Sequence, residues 1–268
     1  MEVLVVGNTA YADDDFCAKA FPEDHVQVVA AQDTRRDESS LHASWKELLQ
    51  HLDQAYEFER VVYLSNYLTP HTDTVGDIEL LRTVFRACAG RRVQLLYVAG
   101  PAGAEGAADA AGRTGKGIIA HAANDLCRYY AAREGVQTKI LRVPFLYTAS
   151  SALEDPFLVP LFDACSTGSV ALQGAQDAAF PLLCAEELSV LVRRIFDSWD
   201  GNFETLDVAD TFHHTVGEVG EALQVLFPGL SVAYGDSAGY NLPANDVARV
   251  RYGWFQRYDL LRDLSTIQ

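Results

Sequence analysis

The stretch "VLVVGNTAYADDDF", residues 3–16, decides the reading of the fold. Val3 to Val6 form a short, unbroken apolar run rich in β-branched residues, the pattern of a strand buried on both faces. Gly7 ends the run, and residues 13–20 read as a helix. A strand, a glycine and then a helix open a β-α-β crossover, which implies a parallel sheet. The helix begins on three consecutive carboxylates, Asp13, Asp14 and Asp15. These suit the positive end of a helix dipole and compete there with any other anion.

The same alternation continues along the first half of the chain. Strands are expected at 2–7, 25–31, 60–66, 92–100 and 137–144, with helices at 13–20, 43–57, 76–89 and 117–134. Leu48, Leu49, Leu52 and Tyr56 share one helical face, as do Leu80, Val84, Phe85 and Cys88. Beyond about residue 150 the rhythm loosens into "SVALQG", "AFPLLCAEELSVLVRRIF", "FETLDVAD" and "TVGEVGEALQVLF". The expected architecture is α/β: a Rossmann-like, doubly wound parallel sheet over residues 1–150, with a smaller C-terminal α/β lobe over 151–268 interleaved with it. No internal repeat or biased linker interrupts it.

The chain has 268 residues, 49% of them hydrophobic, enough for a sizeable core. Its 37 acidic and 21 basic residues give a formal charge of -16, which repels nucleic-acid backbones and anionic lipid headgroups. Neither is an expected partner. The five cysteines, at 17, 88, 127, 165 and 184, contain no Cys-x-x-Cys pair and read as buried thiols in a reducing compartment. No apolar run approaches the about 20 residues that span a bilayer. A cytoplasmic location is expected.

A dinucleotide-binding turn of this type carries three glycines, for the tight turn, the approach of backbone to diphosphate, and helix-to-strand packing. Here Gly7 supplies the first, while Ala10 and Asp13 stand at the other two places. The candidate cofactor-binding residues are Gly7, Thr9, Ala10 and Tyr11 in the turn, and Gln32, Asp33 and Arg35 after the second strand. An acid there would favour the ribose hydroxyls of NAD, whereas Arg35 and Arg36 would favour the 2′-phosphate of NADP or simply line the surface. A phosphate about 4 Å from one of the carboxylates would meet a repulsion of order 1 to 4 kcal/mol. Binding of either cofactor is therefore in question.

The order of "VLVVGNTAY", "VVYLSN", "LLYVAG", "ILRVPFLYT", "FETLDVAD" and "ARVRYGWFQRYDLLRDL" resembles the extended short-chain dehydrogenases/reductases of the NAD-dependent epimerase/dehydratase family. The resemblance implies hydride exchange with a nicotinamide, assisted by a tyrosine, a lysine four residues later, and a serine or threonine. A phenol can ionise near neutrality only with such help, and an ammonium one helical turn away provides it. The four lysines, Lys19, Lys46, Lys116 and Lys139, are preceded at that spacing by Asp15, His42, Gly112 and Gly135. The chain contains no Tyr-x-x-x-Lys.

Substitutes are few. His121 titrates near neutrality as a residue type, and Tyr147 stands in the segment where the family touches substrate, with Arg142 and Thr148 beside it. Tyr129 and Arg133 have the right spacing but lie some two turns too far along their helix. Adjacent His213 and His214 complete no metal site. A nucleophile elbow and a nucleotide phosphate loop are both missing. The expected function is thus a catalytically degenerate relative acting as a nucleotide-sensing, regulatory or scaffolding module, with a small-molecule nucleotide or a protein as partner and homodimerisation as the family implies. The alternative is an active oxidoreductase or nucleotide-sugar epimerase/dehydratase with unusual catalytic groups.

Overall fold

The structure, a computed structural model, describes residues 1–7, 11–12, 14–30, 58–65, 75–100, 115–148, 157–172, 174–209, 211–236 and 247–264. The first half runs β1 (Glu2–Gly7), α1 (Asp14–Ala20), β2 (His25–Ala30), β3 (Arg60–Leu64), α2 (Val75–Cys88), β4 (Gln94–Ala99), α3 (Gly115–Arg133) and β5 (Gln137–Arg142). It continues with β6 (Phe145–Tyr147), α4 (Leu158–Ser166), β7 (Ser169–Leu172), β8 (Leu182–Cys184), α5 (Ala185–Asp197) and β9 (Phe203–Asp207). Then follow α6 (Val216–Leu226), β10 (Ser231–Tyr234), α7 (Val247–Tyr252) and α8 (Leu260–Leu264).

Six strands make one parallel sheet in the order β2-β1-β3-β4-β5-β9. Successive side chains of a strand point to opposite faces, so each apolar run serves two cores. Val3, Val5, Val62, Leu64, Leu96, Val98 and Leu141 pack under α1, α5 and α7. Leu4, Val6, Val61, Tyr63, Leu95, Tyr97 and Ile140 pack under α2 and α3. A helical layer therefore covers each face, as a doubly wound Rossmann-like sheet requires. A third cluster, built on Phe145, Tyr147, Leu158, Leu182, Val219 and Leu223, holds the C-terminal lobe with its two-stranded pairs β6-β8 and β7-β10.

The expected strands and helices lie where the apolar runs place them, with trimmed ends. β3 stops at Leu64, short of Asn66; β5 stops at Arg142, ahead of Pro144, which has no N–H for a ladder. The expected helix at 43–57 lies outside the described residues. β9 comes from beyond residue 150 yet pairs with β5, so the second half of the chain completes the sheet begun by the first.

After β2 the chain crosses to the opposite side of β1, and the strand order reverses between β1 and β3. In such sheets ligands bind at the carboxyl ends of the strands on either side of this reversal. Gly7 and Leu64 face each other there. Gly7 has φ +107°, and a Cβ on it would fall 2.1 Å from the carbonyl oxygen of Leu64. Only glycine permits that approach.

Candidate functional site at the carboxyl edge of the sheet

The described part of this edge consists of Gly7, Ser65, Gly100 and the start of α1, with β6 and Thr148 beyond β5. Asp14 and Asp15 are both exposed on the first turn of α1, and Asp15 forms an ion pair with Lys19 one turn later. Tyr11, by contrast, is buried: its ring belongs to the core and its hydroxyl donates to the carbonyl of Leu146 at 3.0 Å. The side chain thus ties the turn to β6 instead of facing a ligand. Thr9, Ala10, Asp13, Gln32, Asp33 and Arg35 lie outside the described residues.

The substitutes for the missing proton relay go to different places. Tyr147 is fully buried, and its hydroxyl donates to Oδ2 of Asp263 at 3.0 Å. Burial foremost, then the neighbouring Cys184 and Asp263, pushes this phenol far above its ordinary range. A lysine would act in the opposite sense. Burial likewise raises Asp263, so the pair is held in a dry setting by its own hydrogen bond. Arg142 is bound by its strand neighbour Asp207 through Nε and Nη2, at 2.6 and 2.7 Å. Thr148 is buried, His121 is exposed on α3, and Tyr129 stands exposed with its ring edge on Tyr130.

Two lysines have resolved partners, and both are carboxylates. Lys19 pairs with Asp15 on the surface. Lys139, only 1% exposed, donates to Asp200 at 2.9 Å and Glu204 at 2.7 Å and lies over the Trp199 ring. Burial pulls this ammonium down, but the two hydrogen bonds outweigh it and leave it above its usual value. No phenol shares a hydrogen bond with either lysine among the described residues.

One polar constellation at the edge was not read from the sequence. Asp77, buried in the first turn of α2, accepts from Tyr63 at 2.7 Å through Oδ1 and from Ser65 at 2.9 Å through Oδ2. Tyr97 lies beside Tyr63 in the sheet register and reaches Ser65 Oγ at 3.4 Å. Burial first, and then Asp77, raises the Tyr63 phenol well above its normal range. The chain Tyr97–Ser65–Asp77–Tyr63 fixes the first turn of α2 against the ends of β3 and β4. Its signal was available: polar residues recurring every second position on one face of otherwise apolar strands.

His213 adopts φ 57°, and His214 is buried with Nε2 2.9 Å from Asp259 Oδ1. No group of three or more metal-ligating side chains occurs among the described residues. None of the described helices is long and apolar enough to cross a membrane.

This is the fold of the NAD-dependent epimerases and dehydratases. MoeE5, solved in complex with UDP-glucose and NAD, is 18% identical and superposes with a TM-score of 0.72 over 99% of this chain and 97% of its own. UDP-glucuronic acid 4-epimerase from Bacillus cereus, in complex with UDP-glucuronic acid and NAD, is 11% identical with a TM-score of 0.71 over 99% and 97%. The dTDP-glucose 4,6-dehydratase DesIV from Streptomyces venezuelae is 12% identical with a TM-score of 0.70 over 99% and 96%. No family model matches the sequence, and no curated protein is similar to it.

Gly7 meets the first requirement of a dinucleotide turn. Ala10 and Asp13, at the other two glycine places, lie outside the described residues; Asp14 and Asp15 are exposed carboxylates on the first turn of α1, and no lysine follows a tyrosine by four residues. The chain thus keeps the first glycine of the turn and lacks the Tyr-x-x-x-Lys spacing.

Proposed function

We propose that this protein is a catalytically degenerate relative of the NAD-dependent epimerases and dehydratases, serving as a nucleotide-sensing, regulatory or scaffolding module. One observation carries the reading: none of the four lysines follows a tyrosine by four residues. The buried groups agree with it, since Tyr147 is committed to Asp263 and Lys139 to Asp200 and Glu204. A proton relay must come within hydrogen-bond reach of its substrate, and these groups are spent on holding the lobe and the edge strand.

The test pairs binding with turnover. Purified protein is titrated with NAD, NADH, NADP and NADPH by calorimetry, and each mixture is incubated with UDP-glucose and UDP-glucuronic acid. The expected result is no conversion of sugar and no change in nicotinamide absorbance. Measurable affinity would assign the protein to sensing, and silence to scaffolding. Turnover abolished by Thr148→Val or His121→Ala would overturn the proposal in favour of an active enzyme.

A further inference from the structure

Residues 253–259 join α7 to α8 without helix or strand and run along α5, from Arg194 to Glu187. Among the described residues, no main-chain hydrogen bond ties residues 255–259 to any element but α8. The polar fastenings of this strap run through side chains instead. Trp254 Nε1 donates to the carbonyl of Glu187, and Gln256 Nε2 donates to the carbonyl of Leu182. The Glu187 carboxylate accepts from the amides of Arg257 at 2.7 Å and Tyr258 at 3.0 Å. Farther along, Asp259 meets His214 at 2.9 Å, and Asp263 accepts from Tyr147 at 3.0 Å.

Three of these fastenings use carboxyl groups, and the three belong to one electrostatic cluster. Glu187 is only 7% exposed. Burial foremost, with the like charge of Asp263, lifts its carboxyl above the ordinary value of 4.5, against the two strap amides and Arg257. Burial foremost also lifts Asp263 above 3.8, with Asp259 and Glu186 adding to it and the Tyr147 hydrogen bond and Arg262 opposing. The other charged neighbours are engaged as well. Glu186 accepts from Cys184, Lys19 of α1 pairs with Asp15, and Glu218 of α6 lies near both His214 and Asp259.

We propose that residues 253–264 act as a proton-operated strap: with Glu187 and Asp263 protonated it lies closed over Tyr147 and Leu182, and as they ionise it loosens and frees the Tyr147 hydroxyl. Opening returns both carboxyls to water, where they hold their protons at ordinary strength. The closed form binds the protons more tightly, so closure is favoured in full below about pH 4, and the advantage is lost as pH rises through the raised values. The state of the strap is felt at the end of β6, beside Thr148, and the inference does not depend on a nucleotide binding there.

Amide hydrogen exchange on the full chain, read residue by residue by NMR and corrected for the intrinsic pH dependence of exchange, measures opening between about pH 4 and pH 8. Opening at Arg257 and Tyr258 should rise at least about tenfold over that range, the equivalent of one unit in proton affinity, and the amides of β4 should not share the rise. Glu187→Gln together with Asp263→Asn keeps the shape and the acceptor oxygens without a titrating proton, and should flatten the profile. A second readout needs no substitution: in the parent chain the side-chain carboxyl resonances of Glu187 and Asp263 should titrate above 4.5 and 3.8, in step with the Arg257 and Tyr258 amide shifts. A flat profile in the parent, a rise shared by β4, a slope kept by the double variant, or carboxyls titrating at or below their ordinary values would overturn the proposal. So would a profile that His214→Gln alone flattens, because the operating proton would then sit on the imidazole.

Discussion

Gly7 and Tyr147 show how single residues at the carboxyl edge are constrained by backbone and burial before any chemistry is asked of them. A methyl group on Gly7 would overlap the Leu64 carbonyl at 2.1 Å, with φ at +107°. Gly7→Ala must push β1 from β3, and we expect a loss of at least about 3 kcal/mol in urea unfolding. A loss below about 1 kcal/mol would show that the strands part easily. Tyr147 presents the opposite case, a phenol placed where a substrate contact was expected and closed off by Asp263. Replacing it with phenylalanine removes one buried hydrogen bond and keeps the ring in its cluster, so the expected cost is about 1 kcal/mol. Asp263, losing the hydrogen bond that favours its charged form, should titrate higher still, which carboxylate NMR reads directly.

Elements were legible in the sequence where the apolar pattern was long enough to declare its period. β1 was expected at residues 2–7 and occupies them, and α2 and α3 are within two residues of expectation. The three-residue strand β6 and the short helix α7 carry too few residues for a period, and tertiary packing decides them. Site contacts were less legible still, because Tyr147 and Asp263 are 116 residues apart and Lys139 and Glu204 are 65 apart. What the sequence did show of the site was an absence, which needs no geometry. Two elements offer direct tests. In the α6 capping box, Thr215 accepts from the amide of Glu218 while Glu218 accepts from the amide of Thr215. Thr215→Ala should cost about 1 kcal/mol. The Thr215 backbone and side-chain hydrogen bonds hold Glu218 below its ordinary value of 4.5, so its stabilisation is present above that pH and is lost as acid carries the protein through the lowered value. Glu218→Gln should therefore flatten part of the acid limb of a melting-temperature profile below about pH 4.5. The second element is the ring Lys139–Asp200–Arg251–Glu204, which fastens β5, β9 and α7. Because Asp200 is largely exposed, solvent screens the pairing. Lys139→Met should stay within about 1–2 kcal/mol of the parent, while Lys139→Ala adds a cavity and should cost about 3 kcal/mol; equal losses would mean that the charge, not the volume, matters.

At the scale of the whole molecule, 37 carboxylates against 21 cations set a field that any anionic ligand must enter. Asp14 and Asp15 add a local contribution at the start of α1, on the ligand-binding side of the sheet reversal. The two contributions differ in range, so salt separates them. The Debye length shrinks from about 30 Å at 0.01 M to about 3 Å at 1 M. A cationic nucleotide site loses affinity over that range, because counterions compete for it. Here the sign should be inverted: affinity for NAD or UDP-glucose, measured by calorimetry, should rise between low and high salt as repulsion is screened. Asp14→Asn combined with Asp15→Asn should strengthen binding about threefold to tenfold at low salt, well short of the 1 to 4 kcal/mol of an unscreened contact, since both side chains are exposed. The same double variant should also shallow the salt dependence without removing it, the remainder belonging to the net charge. Affinity that falls with salt in the parent chain would show a local cluster of cations strong enough to reverse the molecular field, and would return the acidic turn to the role of an ordinary helix cap.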